Sequence, residues 1–235
     1  MSEASLEPTN RASFLMALQL ADSSLPIGRY VHSFGLEVLL NEIPKNSVQI
    51  VEIVKAALLH GTGRSDAVAA AHAHRMFSMA DLVQLHKIDE HLLALKLSVP
   101  ARNASISSGR HLAKLAPRIW PHSVLATFCQ EVQAGEGGNL AVVTAAISAS
   151  QGIGLENTVL AELRGAASGL FSAAVRLGRM GSVDAQIQLR QCVPTIIQAA
   201  ERALDMDLED MSSTTLELDI AMLQLQRNPL RQFAT

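Results

Sequence analysis

A chain of 235 residues, 49% hydrophobic and 17% charged, can bury a sizeable core in one domain or two smaller ones and is too apolar to be disordered throughout. Its net charge of -3, with no Lys/Arg stripe interleaved with aromatics, argues against nucleic-acid binding. Cys129 and Cys192 match no metal or redox spacing and suit reduced thiols in the cytoplasm.

In chain order, the acidic, polar opening Met1 to Asn10 is unlike a secretory signal and reads, through residue 12, as a flexible segment. Phe14, Leu15, Leu18 and Ala21 share one face of a first helix, which Asp22-Ser23-Ser24 can stop. Pro26 and Gly28 break the backbone, because proline fixes φ and glycine permits a positive φ. An apolar face resumes with Phe34, Leu36, Leu39, Leu40 and Ile43. The result is helix, tight polar break, helix, with Tyr30, His32, Ser33 and Glu37 gathered around the break. They either cap helix ends or display hydrogen-bonding groups at a joint, where binding sites tend to sit.

Ser47 can cap a helix carrying Val48, Val51, Val54, Ala57 and Leu58, which runs out at Gly61-Thr62-Gly63. Asp66 can cap the next, Ala67 to about Phe77. From Asp81 a third carries Leu82, Leu85, Ile88, Leu92 and Leu95 on one face, with Pro100 marking its end. Arg102 to Leu115 reads as a helix closed by Pro117, Trp120-Pro121 as a turn, and Ser123 to Gln133 as a short helix. Gly135-Glu136-Gly137-Gly138 is a flexible joint. No glycine in the chain is followed by lysine, so a P-loop for ATP or GTP is excluded.

Gly137 to Leu155 carries no charge and approaches the span a bilayer requires, but its Asn, Thr, Ser and Gln favour an Ala-rich helix buried in a soluble core. Ala141, Ala145 and Ala149, then Ala161, Gly165, Gly169 and Ala173, recur every fourth residue and so share helix faces. Glycine in a helix costs about 1 kcal/mol against alanine, so these positions have a packing reason. A central helix is expected over Leu155 to Leu177. Beyond Gly178 and Gly181, a helix begun at Ser182 or Asp184 carries Leu189, Val193, Ile196, Ala200 and Leu204, kinked at Pro194. From Glu201 to Asp219 the chain turns acidic, and 205–235 reads as a solvated tail or one that orders on a partner. The fold expected is an all-α single-domain bundle over 13–204, with roughly eight to ten helices in all.

Eight histidines raise a metal hypothesis. His72 and His74 point to nearly opposite faces of one helix, and neither HExxH nor a Cys/His zinc pattern occurs. No Gly-x-Ser-x-Gly elbow is present either. The rival to a protein-binding role is an enzyme with a metal site assembled from His60, His72, His86 or His111.

Four stretches carry a family resemblance. Leu25-Pro26-Ile27-Gly28 leading into Ser33-Phe34-Gly35-Leu36-Glu37 resembles the opening signature of the UreF family. Phe171 through Gly181-Ser182, continuing by Ala185-Gln186 to Pro194, is similar to its Ala-Val-Arg-Leu helix end, Gly-x-x-Gly turn and Ala-Gln helix with a proline. Ser108-Gly109-Arg110-His111-Leu112 and Gly138 to Gly154 resemble its Gly-Arg helix and Ala-rich segment. The ending departs: where the family usually has Met-x-His-Glu and then Arg-Leu-Phe, this chain has Ala221-Met222-Leu223-Gln224-Leu225-Gln226 and ends Leu230 to Thr235.

The resemblance implies an all-helical, homodimeric, cytoplasmic, non-catalytic chaperone of urease maturation, without cofactor or metal of its own. Such a protein bridges UreD (also called UreH) to the GTPase UreG for nickel delivery to apo-urease, and its tail is implicated in docking UreD; the altered ending also admits a diverged scaffold that has lost the urease partners. It implies no contact with nucleic acid or membrane. Tyr30, His32, Ser33 and Glu37 are then expected to face a partner or fix the joint, with Arg110, Arg176 and Gln186 on the same surface. The two arginines could instead salt-bridge helix ends. An arginine finger acting on UreG, from Arg29 or Arg179, is a minor alternative.

Overall fold

The computed structural model describes residues 11–28, 35–42 and 47–225. They form α1 (Arg11–Leu20), α2 (Leu36–Glu42), α3 (Ser47–Ala56) running into a π-turn (Ala57–Gly61), α4 (Asp66–Ser78), α5 (Leu82–Leu95), α6 (Val99–Ile119) and α7 (Ser123–Ala134). After these come α8 (Leu140–Ser150), α9 (Leu155–Arg176), α10 (Ser182–Gln191), α11 (Val193–Asp205), a 3-10 turn (Leu208–Asp210) and α12 (Leu216–Leu225). The described chain is all-helical, as the periodicity predicts, with no strand among the described residues.

The helix count exceeds the expectation for two reasons. The stripe from Leu189 to Leu204 is two helices, divided at Cys192, and the acidic tail contributes α12. Pro194 therefore causes no kink: it sits in the first turn of α11, where the missing N–H would lack an intrahelical partner anyway. Pro100 likewise begins α6 rather than ending α5, behind Ser98, whose hydroxyl accepts from the Ala101 N–H at 3.2 Å. Pro117 falls inside α6, which continues to Ile119. Asp81 caps α5 as expected, accepting from the Gln84 N–H at 3.0 Å. Before α4 the cap position is Ser65, and Asp66 is the first helical residue.

Helices α4 and α8 form the centre. Ala141 through Ser148 are all buried, as are Ala67 through Ala71 and Ala73, and their small side chains bring the two backbones close. α9 lies against α4 and carries α10 and α11 on its other sides; α6 packs on α7 and α8. Leu85, Leu112 and Leu163 are wholly buried between these layers, each contributing about 1.5–3 kcal/mol over an exposed position. Among the described residues no helix is long and apolar enough to cross a membrane, and the uncharged stretch is α8 with its flanking turns.

One expectation fails at α1. Its buried residue is Ser13, with Met16 and Leu20 packed against the core, while Phe14, Leu15 and Leu18 are 55%, 58% and 54% exposed. The helix is apolar on two sides, so spacing alone cannot choose the inner one. Contact with the body does: Trp120, buried beyond α6, donates its indole N–H to Gln19 Oε1 at 3.1 Å.

Candidate functional site

A densely bonded polar feature is the loop between α7 and α8. Asp89 projects from the apolar side of α5 and is 1% exposed. Its carboxylate accepts from the Gly138 N–H at 3.1 Å, the Asn139 N–H at 2.9 Å and Asn139 Nδ2 at 2.8 Å. Asn139 Nδ2 also donates to the Asp89 carbonyl, and Ser105 Oγ donates to Asn139 Oδ1 at 2.9 Å. Burial pushes the Asp89 carboxyl above its ordinary range, against the hydrogen bonds from Asn139 and Gly138, which pull it down.

Two glycines make the approach possible. A Cβ on Gly109 would lie 2.0 Å from the Gly138 carbonyl oxygen, so α6 and the loop touch backbone to backbone. Gly137 has φ +70°, and a Cβ there would meet Asp89 Oδ1 at 2.6 Å. From the other side Arg110 donates to the Gly137 carbonyl at 3.2 Å and the Gly135 carbonyl at 3.1 Å. At the rim, His86 Nε2 lies 2.8 Å from Glu131 Oε2 and 3.7 Å from Glu136 Oε2. The joint that reads as flexible in sequence is thus pinned from beneath.

Tyr30, His32 and Ser33, and Arg29 with them, lie outside the described residues. Glu37 is in the first turn of α2 and is buried, 7% exposed, which fits fixing the joint better than facing a partner. Arg110 is engaged with the Gly135–Gly137 carbonyls. Arg176, ending α9, and Gln186, on α10, are both exposed and flank the turn between those helices. Arg110 is thus bonded to the α7–α8 loop, while Arg176 and Gln186 lie on α9 and α10.

Of the histidines of the metal hypothesis, His86 lies against Glu131 at the loop's rim, and His60 and His111 are exposed on different elements. His72 Nε2 is 3.0 Å from the Met206 carbonyl oxygen and His74 Nε2 is 2.8 Å from that of Ile153. Burial pushes His74 down, toward the neutral ring. Among the described residues no three His, Cys, Asp or Glu side chains come together to hold a metal ion. Burial drives the Cys129 thiol up to about 12, so it carries almost no thiolate at neutral pH.

Sequence reasoning missed Asp89, whose signal was visible: it falls between Leu85, Ile88 and Leu92 on a face otherwise buried. It also missed the outward apolar stripes. Val183 and Ile187 of α10 stand 72% and 48% exposed, and Val193 and Ile197 of α11 are both 45% exposed. On α12, Leu216, Ile220 and Leu223 are 67%, 45% and 42% exposed, while Ala221 and Met222 face the body.

The fold and these surfaces define an all-helical protein whose outermost features are apolar stripes on α1, α10, α11 and α12. Comparison with known proteins agrees. The family model described as UreF matches residues 45–193. The urease accessory protein UreF of Trichodesmium erythraeum (strain IMS101) is 32% identical over 222 residues, 94% of this chain and 96% of its own length. UreF proteins of Rhodopseudomonas palustris (strain BisB5) and Geobacillus kaustophilus (strain HTA426) are each 29% identical, covering 99% and 93% of this chain and 95% and 96% of their own lengths. The chain belongs to the UreF family of urease accessory proteins.

Proposed function

We propose that this chain acts in urease maturation as a non-catalytic, cytoplasmic scaffold. As a homodimer it bridges UreD to the GTPase UreG, and their complex delivers nickel to apo-urease. The observation that carries this reading is the set of apolar stripes standing in solvent on a chain of the UreF family. Such stripes are what protein partners bury. The stripe on α12 is assigned to UreD, which the family's tail is implicated in docking, and Val183, Ile187, Val193 and Ile197 to a second copy of the chain.

Tyr30, His32 and Ser33 are assigned to partner binding as well, as are Arg176 and Gln186, while Glu37 and Arg110 act by holding local backbone. The test is co-purification: the chain should retain UreD and UreG together, and a variant truncated from Asp205 should lose UreD. If the full chain captures neither, the bridging role is wrong. If Tyr30→Ala and His32→Ala variants fold and still support full urease activation, that cluster has no part in it. Tight, stoichiometric metal binding by the isolated monomer would favour the histidine-site enzyme instead.

A further inference from the structure

Beyond α11 the chain crosses the body once more before it forms α12. The Ser212 N–H donates to the Arg64 carbonyl at 3.0 Å and the Thr214 N–H to the His60 carbonyl at 2.8 Å, while Arg64 Nε donates to Ser212 Oγ at 3.0 Å. His60 lies in the π-turn and Arg64 just beyond it, where a helix end leaves carbonyls without intrahelical donors. The chain thus completes its hydrogen bonding with an outside strand of backbone. Thr215 then sits directly on Gly61: a Cβ there would lie 2.9 Å from Thr215 Cγ2 and 3.1 Å from its Oγ1.

What this segment covers is not packed core. Thr215, Asp219 and Met222 roof a cavity of about 180 Å³ whose other walls include Asp66, Lys96 and Glu162. Lys96 Nζ and Asp66 Oδ1 form an ion pair at 2.7 Å there, with side chains only 14% and 17% exposed. The covering segment is anchored at its start, where Met211 is buried in the core and the backbone bonds of Ser212 and Thr214 lie. Its helix rests on α2 and α6, with Leu218, Ala221 and Met222 turned toward the body, and three large apolar side chains, Leu216, Ile220 and Leu223, stand in solvent. Segments with few buried contacts open at low free energy, and they open as cooperative units.

We propose that Met211–Leu225 is a strap that opens and closes this cavity as one unit, with the π-turn and Gly61 as its clasp. Closed, it covers most of the Lys96–Asp66 pair. Open, it exposes a polar chamber between α4, α6 and α9 and frees α12 from the body. The inference concerns this chain alone and does not depend on the identity of its partners.

The experiment is hydrogen exchange of the full chain, read by mass spectrometry, with amine acetylation of Lys96 as a second readout. Residues 211–225 should exchange together and faster than α8 and α9. Gly61→Ala should raise that exchange and Lys96 acetylation by roughly ten-fold, because the new methyl displaces Thr215, and leave α8 and α9 unchanged. Adding Thr215→Ala to Gly61→Ala removes both crowding atoms and should restore protection. Exchange of 211–225 only together with α8 and α9 in the unmodified chain would overturn the proposal. So would a Gly61→Ala effect spread over the whole molecule that Thr215→Ala does not reverse.

Discussion

The Gly135–Asn139 loop and the strap over the cavity are both irregular segments laid across helices, yet opposite physics holds them. The loop is fixed by a buried carboxylate with three donors on it, by an arginine on two carbonyls, and by glycines that admit direct backbone contact. The Asp89 carboxylate and the Gly138 and Asn139 N–H groups are partners whose loss would leave one another stranded. The strap has backbone bonds at one end and modest apolar contact at the other, over a chamber lined with charge. Density of satisfied polar contacts, rather than loop composition, separates a rigid connection from one built to move. The glycine-rich loop is the rigid one.

The sharpest break of this contrast is Asp89→Ala. It strands the N–H groups of Gly138 and Asn139 and should lower the unfolding free energy by on the order of 3 kcal/mol, measured by urea denaturation. A change below about 0.5 kcal/mol would mean that the loop is held otherwise. Ile220→Asp on the strap's outer face should do the opposite. Stability should stay within about 0.5 kcal/mol of the parent while UreD capture falls at least several-fold. Loss of folding would show that this face belongs to the core.

The smallest effect is expected from protons on the strap. Burial holds the Asp219 carboxyl above its ordinary range, only partly opposed by the nearby Lys96 ammonium. The same cavity brings Asp66 and Glu162 from α4 and α9, α6 contributes serines to its wall, and α2 carries buried Glu37. Docking with a raised pKa is favoured where Asp219 is protonated and weakens as pH rises through the raised value. Strap exchange, corrected for the intrinsic pH dependence of amide exchange, should therefore be slower near pH 4.5 than at pH 7. Asp219→Asn should flatten that difference and protect the strap at neutral pH. An Asn variant that exchanges faster than the parent would show that Asp219 fastens the strap through Lys96.

Much of this architecture was legible along the chain. The apolar repeats of α3, α5, α7 and α9 mark real helices because each has a face to bury, α8 shows as an uncharged run buried all round, and Asp81 caps where its side chain can reach an orphan N–H. The prolines misled because the same residue that ends one helix suits the first turn of the next, as Pro100 and Pro194 do. The candidate site was less legible. Arg110 was visible as a motif residue, but its engagement with carbonyls 25 and 27 positions away depends on how α6 meets the loop.

Local sequence fixes what depends on near neighbours: the all-helical class, most helix starts, and the ordered motifs that place the chain in the UreF family. Tertiary structure alone decides what depends on distant ones. It turns Phe14, Leu15 and Leu18 outward although their spacing suits a core, and it seats Thr215 on Gly61 across the length of the chain. The physical reason is that periodicity records which residues share a side of a helix. Which side loses its water is settled only when other helices arrive.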